Sequence, residues 1–305
     1  MKIANPIYDA VFKYMMEDTE VATDLLSLIL GEEIVFLELM PQEIVAESEQ
    51  GIRVFRIDFK AIVRTQTGVF KTILIEIQKA KRQSDFEIVR FRRYLAENYL
   101  KQEIVPQLDG SQEKMNLPIA AIYFLGFRLK NVPIPVLKVQ RIYTNLTTSK
   151  ALRKQVKEDF IEQLSHDLYA IQIPRLKMTL QTDLEKMLDV FSQKKYKTAD
   201  KHILEYLGDA SDPRIARLLA RLNRATLDDE VRRILWAEEE ADMEYFALKK
   251  KADDADRAKE EAISAKEEAI SAKEEERKAK EVAQARADFL EKQIAMMIEK
   301  MNPKD

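Results

Sequence analysis

The sequence predicts an α+β core, then a helical region, then a long charged C-terminal helix. Over residues 1–148 the apolar periodicity indicates helix, three strands, helix, strand, strand, in that order. Only six glycines occur in 305 residues, which favours long helices over a loop-rich β fold. Neither proline nor glycine occurs from residue 228 to residue 300. We therefore expect a core at 1–148, a helical domain at 149–227 and a long charged helix at 228–305.

Two helices are expected before the first strand. The pair Asn5-Pro6 is typical of an N-cap and a first helical position, so the first helix should extend through Met16. Thr19 should cap the second helix, and Gly31 should end it, because glycine readily adopts the left-handed conformation that ends helices.

A β-hairpin is predicted by the alternation of apolar and polar residues over 52–64 and 69–78, with Thr67-Gly68 as the turn. The remaining elements of the core are a strand at 34–46, a helix from the capping box at 84–87 to Lys101, a buried strand at 117–127 and a strand at 139–143. Four further helices are expected near 150–170, 176–191, 196–208 and 212–224.

Asp58 and Glu76 are the strongest candidates for chemistry. In a hairpin that turns at Thr67 they are cross-strand partners, with Cβ atoms about 4.5–5.5 Å apart on one face. Gln78 shares that face because strand side chains alternate. A solvated hairpin face with two opposed acids is the competing interpretation, and a β-bulge would break the register.

Two adjacent carboxylates repel each other unless a positive group lies between them. Mg²⁺ suits this position, since it prefers oxygen ligands and takes one or two carboxylates together with phosphate and water. There it would polarise a phosphoryl group and supply hydroxide near neutral pH. Gln78 adds a carbonyl oxygen or an amide donor that could orient water.

Four motifs follow one another along the first half of the chain: the Tyr8 to Lys13 helix, Arg56-Ile57-Asp58-Phe59, Ile73 to Gln78 with Glu76-Ile77-Gln78 as E-x-Q, and the Arg90 to Tyr94 helix. Together they resemble the PD-(D/E)XK nuclease superfamily, and most of all the branch named PD-(D/E)XK nuclease family transposase, related to the recombination-promoting nucleases. The resemblance covers residues 4 to 145, about half of the chain.

The resemblance implies a restriction-endonuclease-like αβββαβ core with a mixed sheet, a Mg²⁺ or Mn²⁺ cofactor held by Asp58 and Glu76, and DNA as substrate. The sequence departs from the superfamily pattern at Gln78, where a lysine would position water and stabilise the transition state. Lys60, on the same face as Asp58, is the candidate replacement, and Lys79 is a second one if the strand bends.

Other residues of these motifs have both functional and structural interpretations. Asp9 would complete the metal site, or else stabilise a helix N-terminus through the dipole. Lys13, Arg90 and Arg93 would bind phosphate, and Tyr94 would stack or donate its hydroxyl group. In the structural interpretation, the three cations lie on the surface without a ligand and Tyr94 packs inward.

Composition excludes several classes of site. The chain has no cysteine, which removes disulfides and thiolate chemistry and suits a reducing cytoplasm. We find no signal-peptide stretch, no apolar run long enough to cross a membrane and no glycine-rich phosphate loop. The net charge of −3 gives no support for nucleic-acid binding. His166 and His202 lack metal-ligand spacing and are expected to be structural.

The C-terminal helix contains a sequence repeat with a period of seven. Residues 259–265 recur identically at 266–272, and the resulting constant face is mostly alanine. A homo-oligomer formed through this helix and an isolated solvated helix both fit such a face. The alternative function is a catalytically impaired nuclease fold that serves as a DNA- or protein-binding scaffold and oligomerises through this helix. The missing motif lysine and the negative net charge favour it.

Overall fold

The computed structural model describes residues 1–40, 56–65, 68–80, 85–106, 111–153, 156, 158–176 and 181–301. The chain divides into two compact units, Met1–Ala241 and Asp242–Asp305. The first unit contains mixed α and β structure, and the second consists of most of one long helix.

The elements up to the third helix are β1 Lys2–Ala4, α1 Asp9–Met16, α2 Thr19–Leu30, β2 Glu33–Leu39, β3 Arg56–Arg64, β4 Phe70–Ala80 and α3 Asp85–Leu100. They are followed by β5 Glu103–Pro106, β6 Gln112–Met115, β7 Ile119–Leu125, β8 Val136–Val139, β9 Thr144–Asn145, β10 Lys150–Ala151, α4 Asp159–Gln163, β11 His166–Gln172, α5 Asp183–Leu188, β12 Ile203–Glu205, α6 Pro213–Ala225 and α7 Asp229–Met301.

A six-stranded mixed sheet organises the first unit, with strand order β2-β3-β4-β7-β11-β8. Strands β2, β3 and β4 pair antiparallel, β4–β7 and β7–β11 pair parallel, and β8 pairs antiparallel with β11. Because β4 and β7 are parallel, the chain must cross over between them, and α3 lies in that connection.

The two faces of the sheet are buried against different helices. Ile57 and Phe59 of β3 belong to the larger apolar cluster, which also contains the buried residues of α1, α2 and α6. Leu74 of β4 belongs to a second cluster with Leu95 of α3. Burying one such side chain contributes about 1.5–3 kcal/mol, so both faces help to fix the register. Glu76 and Gln78 alternate with the larger cluster's residues and so lie on the α3 face.

The helix starts differ from the predicted ones. Helix α1 begins at Asp9 with Tyr8 as the N-cap, and α2 is capped by Asp18, whose side chain accepts a hydrogen bond from the Val21 amide. Gly31 ends α2 in the left-handed conformation, with φ of 68°, as predicted.

Strands β2, β3 and β4, helix α3 and strand β7 follow the expected order, but the paired strands β5 and β6, between α3 and β7, were not predicted. Strand β7 lies within the predicted 117–127. Strand β8 takes the place of the strand predicted at 139–143, begins three residues earlier, and is not the last strand, because β11 follows it in the same sheet. Ser84 of the capping box and residues 41–46 of the predicted strand at 34–46 lie outside the described residues. Helix α7 matches the predicted long C-terminal helix, and no helix among the described residues is long and apolar enough to cross a membrane.

The region 149–227 departs from the predicted helical domain, and no unit boundary falls at residue 148. Strand β11 lies where a helix was expected and joins the core sheet beside β7. Its middle residues, Leu168 to Ile171, are apolar on both faces, so it lacks the alternation by which sequence identifies a strand. Strand β12 replaces most of the helix expected at 196–208, whereas α6 agrees with the helix expected at 212–224.

Candidate active site

Asp58 and Glu76 are direct cross-strand partners on β3 and β4, and Arg56 pairs with Gln78 in the same register. No bulge interrupts this pair of strands between Arg56 and Arg64. Gly68 has a φ of 81° at the turn, a conformation that favours glycine, while Thr67 lies outside the described residues. The predicted pairing of the two carboxylates is therefore confirmed.

Glu76 is completely buried on the α3 face of the sheet. The Gln78 side-chain amide donates to Oε1 of Glu76, and the Asn98 amide of α3 donates to Oε2 at 3.0 Å. A buried carboxylate is costly without such partners, and hydrogen bonds to charged groups are the stronger kind. Two amides, one from the strand and one from the helix, thus fix the orientation of Glu76.

Asp58 is the more accessible of the two acids, with an intermediate exposure. Gln78 is completely buried, and its Oε1 atom has no hydrogen-bond partner among the described residues. An orphaned buried carbonyl oxygen is uncommon, because it loses its water without compensation. Two carboxylates and this amide oxygen form a set of oxygen donors that fits a hard divalent cation.

Asp58 and Glu76 are the only acidic ligands in this set of oxygen donors, and the third donor is an amide. Among the described ranges, no group of three or more histidine, aspartate or glutamate side chains is placed to hold a metal ion. A cation at this position would depend on Asp58, Glu76 and the Gln78 oxygen, with water or substrate completing its shell.

Aromatic residues cover the site on the α3 face. Tyr123 of β7 lies opposite Gln78 in the sheet and stacks on Phe91 of α3, with ring centroids 4.7 Å apart. Burial, and then the nearby Glu76 carboxylate, raise the pKa of Tyr123 far above its usual range. The same two effects raise the pKa of Tyr99, against an opposing effect of Arg141. Both phenols therefore remain protonated beside the carboxylate.

Neither lysine proposed as a replacement for the motif lysine is directed at the two acids. The Lys60 ammonium lies 3.5 Å from the Glu103 carboxylate and donates to the Ile104 carbonyl at 3.2 Å. Lys79 points to the opposite face of β4, where its ammonium lies 2.6 Å from the Asp9 carboxylate. The alternation of side chains along the strand explains why Gln78 and Lys79 diverge.

Asp9 is the first residue of α1 and is not brought to the Asp58–Glu76 pair. Its carboxylate pairs with Lys79, and the backbone amides of Asp9 and Ala10 donate to the Glu238 carboxylate at 2.9–3.3 Å. The helix dipole effect predicted for Asp9 is thus supplemented by a second acid, which caps the helix from α7.

The predicted phosphate-binding residues divide into buried and exposed pairs. Arg90 is buried, where it donates to the Lys79 carbonyl at 2.8 Å and pairs with Glu87 at 2.6 Å, and Tyr94 is also buried. Lys13 and Arg93 have exposed side chains and weak contacts with acids of their own helices, at 4.0 and 3.6 Å. Only the exposed pair can meet a substrate without a rearrangement.

Asn98 is the residue that sequence reasoning missed. It lies four residues after the buried Tyr94, on the stripe of α3 that faces the sheet. The one sequence signal that could have identified Asn98 is its position as a polar residue on the apolar stripe of the helix.

No family model, curated protein or solved structure matches the chain. The resemblance of its four motifs to the PD-(D/E)XK nucleases therefore remains a prediction.

Proposed function

We propose that the chain is a metal-dependent DNA phosphodiesterase of the PD-(D/E)XK type, acting as an endonuclease in recombination or in mobile elements. One observation carries the proposal: Asp58 and Glu76 face each other on one side of the sheet, beside the orphaned Gln78 oxygen. Two acids that face each other repel, and a shared cation best explains why they are placed together.

Each residue has a distinct task in this proposal. Asp58 and Glu76 hold Mg²⁺ or Mn²⁺, which when bound would activate water and polarise the scissile phosphate. Asn98 and the Gln78 nitrogen hold Glu76 in place, and the Gln78 oxygen would orient the attacking water beside the ion. Substrate approaches from the side of Asp58, because Asp58 is partly accessible whereas Glu76 is not. Lys13 and Arg93 supply exposed positive charge for the DNA backbone.

A second candidate function is a catalytically impaired scaffold that binds DNA or protein and oligomerises through α7. The positions of the lysines favour it, since Lys60 pairs with Glu103 and Lys79 pairs with Asp9. Gln78 alone cannot supply the positive charge that a lysine would bring to the transition state.

Nicking of supercoiled plasmid in Mg²⁺ or Mn²⁺ separates the two functions. Asp58→Asn, Glu76→Gln and Gln78→Ala test the site. The first two preserve the shape of the side chain, and circular dichroism checks that each variant is folded. Glu113→Gln is the matched control, because Glu113 is an exposed acid on β6. The nuclease proposal expects nicking by the wild type and the control and loss in both acid variants. Equal nicking by all proteins, or none by the wild type, would overturn it.

A further inference from the structure

The C-terminal unit presents a mostly alanine stripe to solvent. Residues spaced alternately three and four apart along α7 form a seam, and every one of them is exposed in the single chain. The seam consists of Leu248, Ala255, Ala258, Ala262, Ala265, Ala269, Ala272, Ala279 and Ala283. Lys251 and Glu276 occupy the two other positions of this spacing between residues 248 and 283. Beyond residue 283, the exposed Leu290 and Met297 alternate with the polar Arg286 and Gln293.

Two rows of opposite charge border the seam. On the heptad assignment that makes Ala262 position a, from residue 254 to residue 280 position g carries only acids and position e only lysines. The acidic row is Asp254, Glu261, Glu268 and Glu275, and the basic row is Lys259, Lys266, Lys273 and Lys280. Each charged row thus repeats with the same period as the seam.

Two charged residues in the middle of these rows have no ion-pair partner along their own helix. Lys266 and Glu268 have no oppositely charged residue three or four positions away, which is the spacing of ion pairs along a helix. Such pairs do form nearby, as between Glu276 and Lys280 at 2.6 Å and between Arg277 and Glu281 at 3.6 Å. Lys266 and Glu268 can therefore form ion pairs only with residues outside their own helix.

We propose that α7 binds a second copy of this chain as a parallel, in-register, two-stranded coiled coil. In a parallel pair, each acid of position g faces position e of the partner's next heptad. Glu261 then meets the partner's Lys266, and Glu268 meets the partner's Lys273. The outer pairs, Asp254 with the partner's Lys259 and Glu275 with the partner's Lys280, have the same signs.

An antiparallel pair would place acid against acid along one border and lysine against lysine along the other, because position g then faces g and e faces e. The alanine seam buries little apolar surface, so the charged rows decide the direction. One chain carries both complementary rows, which makes an identical chain the fitting partner. The dimer does not depend on whether the Asp58–Glu76 site is catalytic.

Disulfide cross-linking tests the direction, because the full-length chain has no cysteine of its own. Ala269→Cys places a thiol in the seam, and Ser271→Cys places one on the outer face as the matched control. A parallel dimer oxidises at position 269 and not at 271, since only facing residues approach within bonding distance. Ala262→Cys and Ala279→Cys should each cross-link to themselves and not to each other. Cross-linking only between the unlike positions, or none in the seam, would overturn the proposal.

Charge reversal tests the rows by light scattering on the full chain. The wild type should have twice the single-chain mass of 35.5 kDa. Replacing Glu261, Glu268 and Glu275 by lysine should abolish the dimer, whereas the same change at Glu260, Glu267 and Glu274 on the outer face should leave it intact. Mixing the first variant with one carrying Lys266, Lys273 and Lys280→Glu should restore dimers. A monomeric wild type, equal masses for both triple variants, or no restoration on mixing would contradict the parallel coiled coil.

Discussion

Asp58 and Glu76 lie directly opposite each other across the β3–β4 pair, one partly accessible and the other completely buried. Like charges in this position destabilise a sheet, so the arrangement is unfavourable unless a cation lies between them. The proposed metal site therefore predicts a link between the stability of the sheet and metal binding.

Asp58→Asn should stabilise the metal-free protein, because it removes the repulsion and keeps the shape of the side chain. The expected gain in the free energy of unfolding is about 0.2–1 kcal/mol in the presence of EDTA. Urea denaturation measures it, with Glu113→Gln as the control for a surface acid. Excess Mg²⁺ should reverse the order, since only the wild type gains free energy from binding. A less stable variant in EDTA would contradict this account.

Asn98→Ala should destabilise the protein by about 1.5–3 kcal/mol, because Glu76 loses a donor to its buried carboxylate. Asn116→Ala is the comparison, since Asn116 donates to the uncharged Tyr99 carbonyl at 3.2 Å. Its loss should be about 0.5–1.5 kcal/mol. Chemical denaturation at neutral pH measures both, and equal losses would show that Asn98 has no special relation to Glu76.

Lys79→Met should cost about 1–3 kcal/mol, because it removes a buried ammonium that lies 2.6 Å from the Asp9 carboxylate and donates to the Ile7 carbonyl. Lys60→Met removes a longer pair with Glu103, at 3.5 Å, from a lysine that is 18% exposed rather than 3%, and should cost less. Thermal and urea unfolding of the two variants test the difference. A larger loss at Lys60 would mean that the two lysines have been assigned the wrong environments.

Acid should weaken the N-terminus of α6 through Asp212. Its side-chain hydrogen bond to Arg214 is the main cause that lowers the pKa of Asp212 to about 2, and burial opposes the shift. A lowered pKa in the folded state favours folding above the unfolded value, which is about 3.9. That contribution is lost as the pH falls from about 4 to about 2. In Asp212→Asn the unfolding free energy should lose this part of its pH dependence, which urea titrations from pH 2 to pH 6 would detect.

The central hairpin could be predicted from sequence because its alternation is regular and its turn contains Gly68. Those two features fix the register, and the register brings Asp58 and Glu76 together. The contact between Asn98 and Glu76 could not be predicted, because it depends on how α3 docks on the sheet. Two residues 22 positions apart in different elements share no local pattern.

Strand β11 was missed for a different reason. Its middle residues are apolar on both faces, as in a central parallel strand, and a short apolar run of this kind does not distinguish strand from helix. Lys79 was expected near the metal site only if β4 bent, and β4 remains paired with β7 as far as Ala80. Regular pairing to the end of the strand keeps Lys79 on the other face.

Titration of the metal-free protein with Mn²⁺, followed by electron paramagnetic resonance of the free ion, tests the central claim most directly. The wild type and Glu113→Gln should bind one ion per chain at the Asp58–Glu76 pair. Asp58→Asn and Glu76→Gln should each weaken that binding by at least about tenfold, since even residues that only support metal ligands have effects of this size. No binding by the wild type, or the same affinity in all four proteins, would contradict the account.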